Sequence, residues 1–291
     1  MNRKKTLGII VPGILLFLVF SCKKNTPAPI PLEPTYSFAG KVQKGPYLGG
    51  GGVTVNILNQ SLSPLGQTLS AQILSNTGNF GLTNIPLTST YISLNAEGYY
   101  FNEITNATSD SYITLNAVTN LSDTGKVNVN VLTHLETSRV YYLVSQGESY
   151  ALAKAQALKE ILHIFSINTP VTSTSERLDI SSAGEENAML LALSVILQGS
   201  RTSANLNQLL NLMAQDIETD GVLNTVSIGD QLLTDVKHID LVNVRNNLTS
   251  YYLSIGVPAT IPPFEKYVNQ FVDSTSYKTG KYFIPKYKNK K

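Results

Sequence analysis

The chain has 291 residues, of which 42% are hydrophobic and 14% are charged, and its formal net charge is +2. This composition excludes a largely disordered chain, because it supplies enough apolar side chains for one large core or two ordinary ones. Cys22 is the only cysteine, which excludes a disulfide framework as the source of stability.

The first residues have the layout of a cleavable export signal. Three basic residues at positions 3–5 precede an apolar stretch of 14 residues, 7–20. That stretch is shorter than the roughly 20 residues that cross a bilayer, but it suits a signal peptide. We therefore predict a signal peptide at 1–21, with an ordinary signal or an uncleaved anchor as the alternatives to a lipoprotein signal.

Residues 19–22, Val-Phe-Ser-Cys, resemble the lipobox that lipoprotein signal peptidase recognises, although Phe20 is larger than the residue usually found there. The resemblance implies that Cys22 is acylated and anchors the mature chain to a membrane. Lys23 follows, where inner-membrane lipoproteins usually carry aspartate, so the resemblance implies the outer membrane. The proline-rich residues 22–35 predict an extended tether between the anchor and the folded body.

The charge is unevenly distributed. Residues 277–291 carry six lysines and no acid, and without these and the three basic residues of the signal, residues 22–276 have a net charge of −7. An acidic body is not typical of nucleic-acid-binding proteins, so no nucleic-acid partner is predicted. In the basic tail, 276–291, Lys281, Lys286 and Lys288 are interleaved with aromatic residues. This pattern predicts contact with an anionic membrane or polymer, or a solubilising terminus.

Residues 36–120 predict an antiparallel β-sandwich domain. Apolar and polar residues alternate within 53–58, 91–95 and 113–115, which is typical of half-buried strands. Glycine, proline and asparagine predict turns between them at 49–52, 63–66, 76–79 and 97–98.

Four segments within this region, 40–42, 53–55, 77–80 and 91–99, resemble the carboxypeptidase-regulatory-like, transthyretin-type β-sandwich. In that family a Gly-x-Phe turn closes a hairpin, as at Gly78 and Phe80, and a Gly-Tyr pair ends a strand, as at Gly98 and Tyr99. The family module is usually non-catalytic, so the resemblance implies architecture more than activity. Residues 130–136 and 215–221 are also similar to bacterial envelope lipoproteins of uncharacterised activity.

The periodicity changes after about residue 125, and residues 125–275 predict an α-helical domain. Apolar stripes with helical spacing lie within 151–165, 206–217 and 241–255. Residues 189–197 are apolar nearly all round, which predicts a central buried helix. Two further helices are expected at 130–145 and 263–272. The predicted fold class is therefore α+β, an N-terminal antiparallel β-sandwich followed by a C-terminal helical bundle.

One acidic segment has the spacing of a calcium-binding loop. Its oxygen-bearing residues match positions 1, 3, 5 and 9 of such a loop, and they are Asp216, Glu218, Asp220 and Asn224. Gly221 matches the turn position, but Ser227 stands where the bidentate glutamate belongs. Carboxylates in the last turn of a helix also oppose the helix dipole, unless a cation or a basic partner offsets them. Calcium is thus a candidate cofactor, and an ordinary helix end is the alternative.

Catalytic signatures are missing from the sequence. The three histidines, His134, His163 and His238, fit no metal motif, and a three-histidine site would have to form across the fold. The nucleophile elbow, the zinc-protease motif and the phosphate-binding loop are all absent.

We therefore expect a non-enzymatic binding or scaffolding lipoprotein of the cell envelope, whose partner is an envelope protein or a glycan. Two alternatives remain open, a polymer hydrolase with an unrecognised site and a calcium-stabilised structural module. A cleft with two converging carboxylates would favour the hydrolase, and a grooved tyrosine surface would favour binding.

Overall fold

Strands come first along the chain and helices follow in the computed structural model, which describes Met1 and residues 34–123 and 125–274. The nine strands within these residues are β1 (Thr35–Gln43), β2 (Gly52–Leu58), β3 (Pro64–Gln72), β4 (Asn79–Pro86), β5 (Tyr91–Gly98), β6 (Phe101–Asn102), β7 (Ala107–Thr108), β8 (Ile113–Asn120) and β9 (Val129–Asn130). The seven α-helices are α1 (Val131–Ser145), α2 (Tyr150–Ile164), α3 (Glu185–Gln198), α4 (Ser203–Asp216), α5 (Val226–Val236), α6 (Leu241–Ser254) and α7 (Glu265–Ser274). The α+β fold class predicted from the sequence is confirmed.

Two sheets form the β-sandwich. One has the strand order β4-β1-β9 and the other β3-β2-β5-β8, and neighbouring strands are antiparallel except for β1 and β9. The predicted alternation gives β2, β5 and β8 an apolar inner face. Val55, Leu94 and Ala117 are neighbours across β2, β5 and β8 and are buried. They share one hydrophobic cluster with Phe38 and Phe80 of the opposite sheet, as face-to-face packing requires.

The turn predicted at 63–66 is wrong. The chain reverses just before it, where the backbone N–H of Asn59 donates to the carbonyl of Ser63 at 2.9 Å. Pro64 then begins β3, which pairs only with β2. Proline is tolerated there because the outer side of an edge strand needs no N–H donor.

The turn predicted at 97–98 is also wrong, because β5 continues through both residues. Gly98 pairs with Ile113 of β8, and the buried ring of Tyr47 lies against it. A Cβ at Gly98 would lie 3.1 Å from that ring. The glycine therefore serves close packing within a strand.

Side-chain caps mark the starts of α1, α2 and α6. The side chains of Ser149 and Asp240 accept backbone N–H groups at the starts of α2 and α6, and Asn130 forms a capping box at the start of α1. In α3 every residue from 188 to 198 is buried, which confirms the predicted central helix. α5 was not among the predicted helices, and it contains Gly229, a poor helix former.

Side chains from α1 and α4 cover the outer edge of β8. The backbone N–H of Asn116 donates to Nδ1 of His134 at 3.2 Å, and the hydroxyl of Thr133 donates to the carbonyl of Asn116 at 2.9 Å. Further along the strand, the backbone N–H of Thr114 donates to Oδ1 of Asn207 at 3.1 Å. These bonds satisfy backbone groups that an edge strand otherwise leaves open, and they fix the helices beside the sheet.

The sandwich and the helices share one hydrophobic cluster, which includes Phe38 of β1, Leu135 of α1 and Leu193 of α3. Residues 34–274 accordingly belong to one compact unit. Within the described part of the chain, no helix is both long and apolar enough to cross a membrane.

Candidate functional site

Four of the residues singled out from the sequence lie outside the described residues. They are Cys22, Lys281, Lys286 and Lys288. Acylation of Cys22 and the membrane or polymer contact of the three lysines therefore stay predictions.

The acidic segment forms an ordered connection between α4 and α5. Asp216 ends α4, and its two carboxylate oxygens accept the backbone N–H groups of Asn224 at 2.7 Å and Thr225 at 2.9 Å. Asp220 accepts the backbone N–H of Val222 and the side-chain amide of Asn224, both at 3.0 Å. These hydrogen bonds fix the conformation of the turn, and both donors and acceptors belong to residues 216–225.

Arg139 supplies a cation beneath this connection. Its guanidinium donates to the carbonyls of Glu218 at 3.2 Å and Thr219 at 2.6 Å, and it pairs with both oxygens of Glu160 at 2.7 and 3.0 Å. Gly221 lies directly above, and a Cβ there would be 2.2 Å from Glu160 Oε2. The positive charge that favours this helix end therefore comes from Arg139. No group of three histidine, cysteine or acidic side chains that could hold a metal occurs among the described residues, and calcium binding stays a prediction.

The structure brings the three histidines to separate places. His134 lies beside β8, and burial lowers its pKa to about 4, although the Leu210 carbonyl opposes the shift. His163 contacts Asn168 through Nδ1, and His238 contacts the carbonyl of Thr234, each at 2.9 Å. His134 is therefore neutral at pH 7 and caps a sheet edge.

Two carboxylates do converge inside the protein, at a place that the sequence did not indicate. Glu136 of α1 and Glu176 both pair with Lys154 of α2, the latter at 2.6 Å, and Ser175 donates its hydroxyl to Glu136. Glu136 is 0% exposed, Glu176 1% and Lys154 5%. We refer to Glu136, Lys154 and Glu176 as the buried triad.

Burial is the main influence on the triad's acidity. It raises the pKa of Glu136 to about 7, an effect that Lys154 opposes and Glu176 reinforces. Burial also lowers the pKa of Lys154, but the two carboxylates outweigh it and the net shift is upward. Neither carboxylate is among the residues that line two surface clefts, one at residues 173–187 and one at residues 56–141. Both carboxylates are instead closed off from solvent, since Glu136 is 0% and Glu176 1% exposed.

The second of those clefts lies on the outer face of the four-stranded sheet. We define this outer face by the residues that point away from the core: Thr54 and Asn56 of β2, Ser93 and Asn95 of β5, and Asn116 of β8. Asn56 is level with Ser93, and Thr54, Asn95 and Asn116 form the next row across the sheet. The side-chain amide of Asn95 donates to Oδ1 of Asn116 at 2.8 Å.

Helix α1 makes one wall of this cleft. Thr137 and Tyr141 face Asn56, Ser93 and Asn95 across a volume of about 260 Å³. Burial raises the pKa of the Tyr141 hydroxyl, although the neighbouring Ser93 hydroxyl opposes the shift. Amides, hydroxyls and a neutral phenol thus surround the cleft, together with the apolar residues Leu94 and Ala117.

Two exposed tyrosines extend the outer face at its other end. Tyr99 directly follows the last residue of β5 and Tyr112 directly precedes the first residue of β8, and both continue the outward alternation of their strands. Their rings meet edge to face, with centroids 4.4 Å apart and planes at 88°. They are 42% and 48% exposed.

Comparisons of this chain with family models, with curated proteins and with solved structures found no match. The resemblance to the transthyretin-type sandwich therefore rests on the sequence segments given above, and it stays a prediction.

Proposed function

We propose that this protein is a lipoprotein of the cell envelope, anchored through Cys22 in the outer membrane, with a non-enzymatic binding role. The single cysteine directly after an apolar export signal supports the anchor. Lys23 supports the outer membrane as its destination.

The observation that carries the binding role is the chemistry of the cleft on the outer face. Leu94 and Ala117 line it together with six residues that carry hydrogen-bond donors or acceptors, and the one titratable group among them, Tyr141, has a raised pKa. General acid–base catalysis works best with a group whose pKa is near the working pH. An amide and hydroxyl lining instead suits reversible recognition of a polar ligand.

Metabolic labelling with palmitate tests the anchor. The full chain is expected to incorporate label and to fractionate with outer membranes, whereas Cys22→Ser is expected to lose both properties because no other cysteine can accept the lipid. Ser21→Ala is the matched control, since it keeps a small residue before the cleavage site. Label on the Cys22→Ser variant, or none on the parent chain, would refute the proposal.

A further inference from the structure

We propose that the outer face of the sheet is a binding site for an uncharged polysaccharide chain, which runs from Tyr99 and Tyr112 to the cleft at Tyr141. This site gives the proposed binding role a ligand class. It rests on the proposed function only for the location, the cell envelope, in which the protein meets its ligand. The inference is carried by three features of the face, namely its aromatic end, its polar middle and its length.

The aromatic end offers a stacking surface. Tyr99 and Tyr112 are each about half exposed although they belong to a well-packed sheet, and their edge-to-face contact fixes both rings in place. The C–H-rich face of a sugar ring packs well on such a ring, while the sugar's hydroxyls stay at the rim. A fixed pair of rings therefore favours a ligand that has both an apolar face and a polar edge.

The middle of the face suits hydroxyl groups. Asn95 and Asn116 lie side by side and Asn56 lies one row further. The amide oxygens of Asn116 and Asn56 accept from Asn95 and from the Thr68 hydroxyl, whereas the amide nitrogens of Asn56 and Asn116 and the amide oxygen of Asn95 lie on the same short stretch of the face. An amide presents two donors and one acceptor oxygen, and this combination can bind neighbouring hydroxyls of a sugar. Glu97 lies between Asn95 and Tyr99 along β5, is exposed and pairs with Thr114, and its carboxylate would repel an acidic polymer.

The length of the face suits a chain of several sugar units. Six residues separate Tyr99 from Ser93, which corresponds to about 20 Å at the rise of an antiparallel strand. The cleft of about 260 Å³ at the Tyr141 end is small beside typical pockets for drug-sized ligands of roughly 300–1,000 Å³. An elongated ligand that lies across the face and enters this cleft fits better than a compact one.

An extended peptide is disfavoured as the occupant at β8. Such peptides add to a sheet by pairing with a free strand edge, but α1 and α4 already satisfy the backbone groups of Thr114 and Asn116. What β8 presents to solvent here is its outward side chains.

Native affinity electrophoresis of the full chain in mild detergent tests the proposal. The gels contain dextran, glucomannan, xylan or mixed-linkage β-glucan, with polygalacturonate as the acidic comparison. At least one neutral polysaccharide is expected to retard the protein, and polygalacturonate is not. The double variant Tyr99→Ala/Tyr112→Ala is expected to bind at least tenfold more weakly, and Asn95→Ala at least threefold more weakly.

Two controls separate loss of the site from loss of the fold. Tyr99→Phe/Tyr112→Phe keeps both rings and is expected to bind within threefold of the parent chain. Leu253→Ala removes an exposed side chain of α6, 79% exposed, and is expected to leave binding unchanged. The far-ultraviolet circular dichroism of every variant is compared with that of the parent.

Three results would overturn the proposal: no retardation by any neutral polysaccharide, equal retardation by polygalacturonate, or unchanged binding by a folded double alanine variant. Palmitate labelling is scored separately. A labelled protein that binds no neutral polysaccharide refutes this site and leaves the proposed anchor standing. An unlabelled protein that binds one refutes the anchor alone.

Discussion

The buried triad predicts opposite outcomes for two substitutions in the same contact. Lys154→Met removes the cation and leaves Glu136 and Glu176 close together without a counter-charge. Removing one partner of a buried ion pair costs about 3–5 kcal/mol, and methionine keeps much of the apolar stem. Glu136→Gln instead removes one of two carboxylates and leaves Lys154 paired one to one with Glu176 at 2.6 Å. We expect this change to cost less than about 1 kcal/mol at pH 8, because an amide of the same shape replaces a carboxylate that burial already penalises.

The raised pKa of Glu136 determines the direction in which the stability changes with pH. The pKa of Glu136 is about 7 in the folded chain against an ordinary value of 4.5, so between these pH values the folded chain holds a proton that the unfolded chain has released. This contribution to stability is fully present below pH 4.5 and is lost as the pH rises to 7. At about 1.4 kcal/mol per pKa unit, the loss is at most about 3 kcal/mol.

The Lys154→Met penalty should therefore be large at pH 8 and should shrink toward pH 4.5, where Glu136 is protonated. Glu136→Gln should remove the part of the pH dependence between 5 and 7 that the parent chain shows.

Urea unfolding followed by circular dichroism at pH 4.5, 6 and 8 measures these differences, since the chain contains no tryptophan for fluorescence. Differences between variant and parent at each pH cancel the titration of other groups. A Lys154→Met penalty of the same size at pH 4.5 and 8 would mean that packing, and not charge, holds the triad. A Glu136→Gln penalty as large as that of Lys154→Met would also refute the reasoning.

Two further predictions concern backbone positions and use the same unfolding assay. Asn130→Ala should cost about 1–2 kcal/mol, because it removes the helix cap and the bond from the side-chain amide to the Ser175 carbonyl; an unchanged midpoint would contradict this role. Gly221→Ala should cost more than Gly147→Ala, although both glycines have positive φ. An added Cβ meets Glu160 at 2.2 Å in the first and open space in the second, so that Gly147→Ala carries only backbone strain of about 1 kcal/mol. If the two variants lost equal free energy of unfolding, the Glu160 side chain would move aside without cost.

The sequence predicted most of the helices, because the apolar spacing and the capping residue that define a helix lie within a few residues of each other. The stripe at 241–255 and the cap at Asp240 fix α6 without reference to the rest of the chain. The same local reasoning failed at 63–66, since whether a proline begins a strand depends on having a free edge beside it. That edge is a property of the assembled sheet.

The candidate sites also combine features that the local sequence predicts with features that only the assembled fold produces. Alternation indicated that Asn56, Ser93 and Asn95 lie on one face, but the contact between Tyr99 and Tyr112 depends on the pairing of β5 with β8. The buried triad joins residues up to 40 positions apart along the chain and follows no period. Arg139 was equally hidden, although the acidic sequence at 216–220 predicted that its carboxylates oppose the helix dipole unless a cation or a basic partner offsets them.

The covered edge of β8 has a consequence for the order in which the protein is made. β8 ends at Asn120, but the side chains that cover its outer edge come from α1 and α4, as far along as Asn207. At a synthesis rate of about 5–20 residues per second, roughly 4 to 17 s pass between the two. During that time the backbone N–H of Thr114 on the outer edge of β8 is uncovered, in addition to the edge that β3 presents on the other side of the sheet. A holding chaperone, or retention of the chain in an unfolded state until translocation, would protect it from pairing with other chains.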